Sequence, residues 1–138
     1  MNILLVNNDS DTWKDLVGVV TGIKGWDVTQ VYHSQIKVES ARQYDLAILS
    51  GGWWYDDEVA LLSNYAEELA FIKHAPIPML GICIGMQLMH VALDQAVPLI
   101  DVPLTCYQHI TINKKGREIF GFREDIEVYK NHTRGVIE

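Results

Sequence analysis

An open α/β fold is expected, with a mostly parallel sheet, helices on both faces and an antiparallel extension in the last third. Three observations carry that expectation. Ile3–Val6, Leu46–Leu49 and Met79–Ile82 are short, nearly continuous apolar runs, as parallel strands buried on both faces require. Helix-period patterns lie between those runs, and alternation of the two signals argues for parallel strands joined by helices. The last third changes character, with a β-branched run at Thr105–Ile112 and a turn signal at Asn113-Lys114-Lys115-Gly116.

The elements follow in chain order. The first strand begins almost at the N-terminus. Thr12–Val20 places Trp13, Leu16, Val17 and Val20 on one helical face. Val28–Tyr32 reads as a weaker, edge-like strand. Glu58–Lys73 reads as one helix with Leu62, Tyr65, Ala66, Leu69 and Ile72 on its apolar stripe, and Asp56-Asp57-Glu58 complements the dipole at its start. A further helix is expected over Ile84–Leu93, and a last strand over Ile126–Tyr129.

Length and composition set the outer limits. The 138 residues are read as one domain, 1–138, and 49% hydrophobic against 21% charged is a globular composition. A net charge of −7 disfavours a phosphate-binding surface, so no nucleic acid partner is expected. Cys83 and Cys106 form no CxxC pair, so neither a zinc site nor a disulfide framework is indicated, and no metal or cofactor is expected. His74–Leu93 carries no formal charge. Its prolines, glycines, Gln87 and histidines nevertheless suit a buried strand and helix better than a membrane span. The opening run lacks the features of a signal peptide, which leads to the expectation of a cytoplasmic protein with no membrane partner.

Ligands of open parallel sheets bind beyond the carboxyl ends of the strands. Three segments leave those ends: Asn7-Asn8-Asp9-Ser10, Ser50-Gly51-Gly52-Trp53-Trp54, and the turn at Cys83. The last is the most informative. Gly81-Ile82-Cys83-Ile84-Gly85 is G-x-C-x-G, the thiol counterpart of the G-x-S-x-G nucleophile elbow. Small residues at both flanks let backbones approach closely, and the following helix points its N-terminus at the sulfur, which favours thiolate. The Ile84 N–H then faces a developing oxyanion, and the side-chain-free backbone of Ser50-Gly51-Gly52 offers a second donor. The plainer readings are a small buried thiol at Cys83 and an ordinary Gly-Gly turn. Cys106 has no such setting and reads as structural.

Together these residues resemble a class I, triad-type glutamine amidotransferase domain. Ile3–Thr12 (ILLVNNDSDT) is similar to the opening segment of the anthranilate and aminodeoxychorismate synthase glutaminase subunits. Leu49-Ser50-Gly51-Gly52 resembles the family's oxyanion strand, and Leu80–Gln87 (LGICIGMQ) its nucleophile signature. Val128–Val136 (VYKNHTRGV) resembles the later segment ending in Y-H-S-L. The resemblance implies a flavodoxin-like fold and hydrolysis of glutamine through a thioester, with ammonia passed to a synthase partner. It implies Cys83 as nucleophile, Gly52 and Ile84 as oxyanion donors, and Gly51, Gln87, Thr133 and Arg134 as the groups that hold glutamine.

The sequence departs from the family pattern in three places. Trp53-Trp54 replace proline or glycine, and Asp94-Gln95 replace a Gly-Gly pair. The family's H-x-E, which supplies the general base and its orienting carboxylate, does not occur, and the domain is expected to be C-terminally incomplete relative to the family. No other histidine substitutes for it. His90 lies about 10 Å along the helix from Cys83, His132 aligns with the non-catalytic histidine of Y-H-S-L, His109 shows no local carboxylate, and His33 and His74 read as surface residues. Two alternatives follow: a catalytically silent module that binds glutamine or a partner, and another thiol hydrolase of the γ-glutamyl peptidase type.

Overall fold

The structure is a computed structural model. It describes residues 1–114, 117, 118 and 125–134, with the backbone alone for 100–104 and 131–133. The turn expected at 113–116 therefore lies partly outside the described residues. Two compact units emerge, one built on Met1–Val97 and one on Pro98–Gly135.

The first unit is a four-stranded parallel sheet in the order β2-β1-β3-β4. Its strands are β1 (Asn2–Asn8), β2 (Asp27–Tyr32), β3 (Leu46–Gly52) and β4 (Met79–Gly81). The central strands β1 and β3 are the two strongest apolar runs, and alternation along them supplies both faces of the core. Ile3, Leu5 and Ile48 face α1 (Trp13–Thr21), where Val20, Trp13, Leu16 and Val17 pack as the helix pattern predicts. Leu4, Val6, Ala47 and Leu49 face the other way, toward Phe71 of α3 (Ala66–His74) and toward Ile36 and Ala41. Those last two flank and occupy short 3-10 turns over His33–Gln35 and Val38–Gln43, where the sequence pattern shows no element.

Two expectations are corrected here. Glu58–Lys73 is two helices, α2 (Glu58–Asn64) and α3, which part at Tyr65. Tyr65 is buried there, its hydroxyl donating to the Trp53 carbonyl at 2.8 Å. The buried stripe runs Leu61, Tyr65, Glu68, Phe71, so Leu62 and Ala66 point to solvent. The acidic start does serve as expected, because Asp57 caps α2 by accepting from Val59 N at 3.0 Å. β4 is the second correction. It is the outer strand among the described residues, and Leu80 and Ile82 are exposed where burial on both faces was expected. α4 (Ile84–Ala92) packs Ile84 and Leu88 against Leu61 and Tyr65. No helix among the described residues is long and apolar enough to cross a membrane.

The second unit is an antiparallel pair, β5 (Leu99–Ile110) with β6 (Ile126–Arg134), in a sheet of its own. Tyr107 faces Tyr129 with ring centroids 5.2 Å apart. His109 does meet a carboxylate, across the pair instead of along the chain: Glu127 lies 3.5 Å from its Nε2, in solvent. Cys106 is exposed opposite Lys130, not buried as a structural thiol.

Candidate functional site

The strand order reverses between β1 and β3, since the chain goes from β1 outward to β2 and returns on the far side to β3. Such a switch point opens a crevice at the carboxyl edge. Asn8 ends β1 there and pairs in register with Gly52 at the end of β3, after a register shift beyond Val6. A Cβ on Gly52 would collide with the Asn8 backbone, so only glycine allows this approach.

Cys83 stands at the turn from β4 into α4, with φ 53° and ψ −113°. L residues rarely adopt this region, at a cost of about 1–3 kcal/mol, and it is retained where the surroundings force it. The surroundings are two glycine contacts. A Cβ on Gly81 would strike the Met86 backbone, and one on Gly85 would lie 2.5 Å from the Leu49 carbonyl oxygen. The thiol is exposed. A Cβ on Gly51 would sit 3.5 Å from the Cys83 Cβ and 3.6 Å from Ser10 Oγ, so all three expected loops meet around Gly51. Ile84, the first residue of α4, buries its side chain while its N–H belongs to the helix's open first turn. Gln87 is buried one turn on, its N–H donating to the Cys83 carbonyl at 3.1 Å.

Gly85→Ala is expected to lower stability by about 2 kcal/mol, because the added methyl meets backbone that cannot step aside. Gly18→Ala, in α1 with nothing within 4 Å, is expected to gain up to about 1 kcal/mol. Denaturant midpoints of the two variants check the contrast.

The first unit thus gathers Gly51, Gly52, Cys83, Ile84 and Gln87. Thr133 and Arg134 are in β6 of the second unit, Arg134 pairing with Leu99. No hydrogen bond or ion pair joins the Cys83 sulfur to a histidine or carboxylate among the described residues. None of those residues gather as three metal-ligating side chains either. Of the departures from the family pattern, Trp53 is exposed and Trp54 packs against the Leu61–Leu88 cluster. Asp94, standing where the family carries glycine, has φ 58°, the left-handed region glycine favours.

Sequence reasoning missed a polar group beneath the crevice. Asn8, Ser50 and Glu68 are fully buried, and Asn8 bridges the other two. The Asn8 N–H donates to Ser50 Oγ at 2.9 Å, and its Nδ2 donates to the Ser50 carbonyl and to Glu68 Oε1, each at 3.1 Å. Burial pushes the Glu68 carboxyl up to about 7, partly offset by the Asn8 hydrogen bond. A signal existed: Glu68 occupies the stripe of Leu61 and Tyr65, where an unpaired charge is expensive. His33, expected at the surface, is buried instead. Its ring lies 4.8 Å from that of Tyr65, tilted by 49°, and its Nε2 lies 3.9 Å from Asp9, yet burial outweighs that carboxylate and lowers its pKa. Asp9 also accepts from the Tyr32 hydroxyl.

Comparison with known proteins gives these features a setting. The family model described as glutamine amidotransferase class-I matches residues 18–138. A glutamine-hydrolysing GMP synthase subunit of Saccharolobus solfataricus is 30% identical over 102 residues, 73% of this chain and 53% of that protein. The chain therefore spans about half the length of that relative. A Thermoplasma acidophilum structure, assigned to the same kind of GMP synthase subunit, superposes with a TM-score of 0.81 at 22% identity, covering 99% of this chain and 67% of that one. A glutamine amidotransferase from Thermotoga maritima gives 0.69 at 20% identity, covering 98% and 61%. These two structures bear on the fold alone. The anthranilate and aminodeoxychorismate branch suggested by ILLVNNDSDT is not the branch the Saccharolobus relative points to, since it is named as a GMP synthase subunit.

Proposed function

Because the chain belongs to the class-I glutamine amidotransferase family, we propose that it is a glutaminase-type domain whose nucleophile is Cys83. The carrying observation is the meeting of the Ser50-Gly51-Gly52 turn with an exposed cysteine held at φ 53° on the tip of a strand–turn–helix. On this reading the Cys83 thiolate attacks the glutamine carboxamide carbon. The C–S bond forms while the N–H groups of Gly52 and Ile84 receive the charge on oxygen. The C–N bond then breaks, the leaving nitrogen takes a proton from water and departs as ammonia, and a water adds to the thioester carbon so that the C–S bond breaks, releasing glutamate and returning the thiolate. Gly51 and Gln87 of the first unit hold the substrate. The Saccharolobus relative, named for GMP synthase, supports a synthase of that type as the partner that takes the ammonia.

One observation favours a second reading. No general base contacts the Cys83 sulfur among the described residues, and the sequence has no H-x-E. A silent module that binds glutamine without hydrolysing it fits that lack. Ammonia release from glutamine, measured on the full chain alone and with the acceptor subunit of a GMP synthase, separates the two. Release in either condition supports the glutaminase. Calorimetrically detected glutamine binding with no ammonia in both conditions supports the silent module.

A further inference from the structure

Glu68 is the one fully buried carboxyl among the described residues, and the proposed chemistry has no use for it. It lies in α3, on the buried stripe with Tyr65 and Phe71, and its Oε1 accepts from the Asn8 amide. That amide is committed on both sides. Its two Nδ2 hydrogens go to Glu68 Oε1 and to the Ser50 carbonyl, and the Asn8 N–H holds Ser50 Oγ. Gly52 is pressed on the Asn8 backbone, and Gly51 abuts Cys83. A continuous chain of contacts therefore runs from Glu68 through Asn8 to the turn beside Cys83. Two acceptors on this chain, Glu68 Oε2 and Asn8 Oδ1, have no hydrogen-bond partner among the described residues.

We propose that Glu68 is a positioning residue: through Asn8 it fixes the Ser50-Gly51-Gly52 turn against Cys83, and its proton governs how firmly. An ionised carboxylate accepts from the Asn8 amide as a charge-assisted bond, shorter and stronger than a neutral one. The protonated carboxyl is a weaker acceptor at Oε1 and presents a donor at Oε2, which has no hydrogen-bond partner among the described residues. Burial places the changeover near neutrality, at about 7. Tyr65, at the start of α3, interacts with Glu68 directly; Tyr55 after β3, Asp9 after β1 and Tyr32 ending β2 interact with Tyr65, and His33 on the 3-10 turn interacts with Asp9 and Glu67. Burial raises Tyr65, and Tyr32 is raised to about 12 by its bond to Asp9, so both stay neutral through this range. His33 is lowered by burial and serves as the control.

The catalytic consequence rests on the glutaminase reading, but the structural coupling does not, and two measurements keep them apart. In the isotope-labelled full chain, the amide resonances of Gly51 and Gly52 are followed from pH 5 to 9. Both are expected to shift with a midpoint near 7, to stay flat in Glu68→Gln, and to keep shifting in His33→Gln. Flat resonances in the unaltered chain, or a shift that survives in Glu68→Gln, overturn the proposal. The second measurement compares labelling of Cys83 by diazo-oxo-norleucine and by iodoacetamide. Glu68→Met keeps the bulk but removes the acceptor. It is expected to slow the glutamine analogue about tenfold, a fraction of the loss from deleting an oxyanion donor, and to leave iodoacetamide unchanged. Glu68→Gln, which still accepts from Asn8, is expected to restore analogue labelling. Equal labelling of Glu68→Met and the unaltered chain overturns positioning. If the analogue labels neither, the glutaminase reading falls, and the glycine resonances still decide whether Glu68 holds the turn.

Discussion

Cys83→Ala is expected to abolish ammonia release from glutamine, at least about a thousandfold in kcat/KM, with the fold intact. The thiol is exposed, so its loss leaves no cavity in the core. Alanine inherits the same backbone conformation, φ 53° and ψ −113°, and so the same strain. Glycine does not: Cys83→Gly removes the Cβ that makes this region costly and is expected to be both inactive and about 1 kcal/mol more stable than the unaltered chain. That pairing distinguishes a residue kept for chemistry from one kept for packing. Cys106→Ser is expected to retain activity, since Cys106 is an exposed residue of β5 in the second unit. Steady-state ammonia assays with thermal melts of all three variants give the result.

Glu68→Gln is expected to change how stability depends on pH. Burial raises the folded-state pKa to about 7 from an ordinary value of 4.5. Between those values the folded chain binds a proton that the unfolded chain releases. The contribution is fully present below about pH 4.5 and is lost as pH rises to 7, beyond which both states are ionised. The shift corresponds to about 3 kcal/mol across the window. Glutamine carries no charge, so the variant escapes the loss. Its advantage over the unaltered chain should be smallest near pH 4.5, grow through pH 7, and then hold level. His33 acts oppositely, since a lowered pKa removes stability on the acid side, but it is common to both proteins and cancels in the difference. Urea unfolding at pH 5 and pH 8 measures the change.

The sequence made the centre of the first unit legible because there one physical signal dominates. Ile3–Val6 and Leu46–Leu49 are apolar on both alternations, which central parallel strands demand and little else does. Met79–Ile82 carries the same pattern yet forms the outer strand among the described residues, because composition registers apolarity but not which neighbours pair with it. The helix over Glu58–Lys73 was visible in its period but not in its break. The break falls at Tyr65, whose hydroxyl reaches the Trp53 carbonyl, twelve residues back. The convergence of the three loops at one edge followed from the strand-end rule and is met around Gly51, which neighbours both Cys83 and Ser10. The support beneath it was not legible. Asn8, Ser50 and Glu68 join across separations of 42 and 60 residues, and no local period encodes such a pairing. His33 misled for the same reason, since its cover comes from Tyr65.

The most direct test of the glutaminase account is peptide mapping by mass spectrometry after exposure to diazo-oxo-norleucine, with and without the acceptor subunit of a GMP synthase. The account predicts one analogue per chain, on the peptide carrying Cys83, with glutamine protecting against the label. Unmodified Cys83 in both conditions, or label on Cys106 that glutamine does not displace, would contradict it.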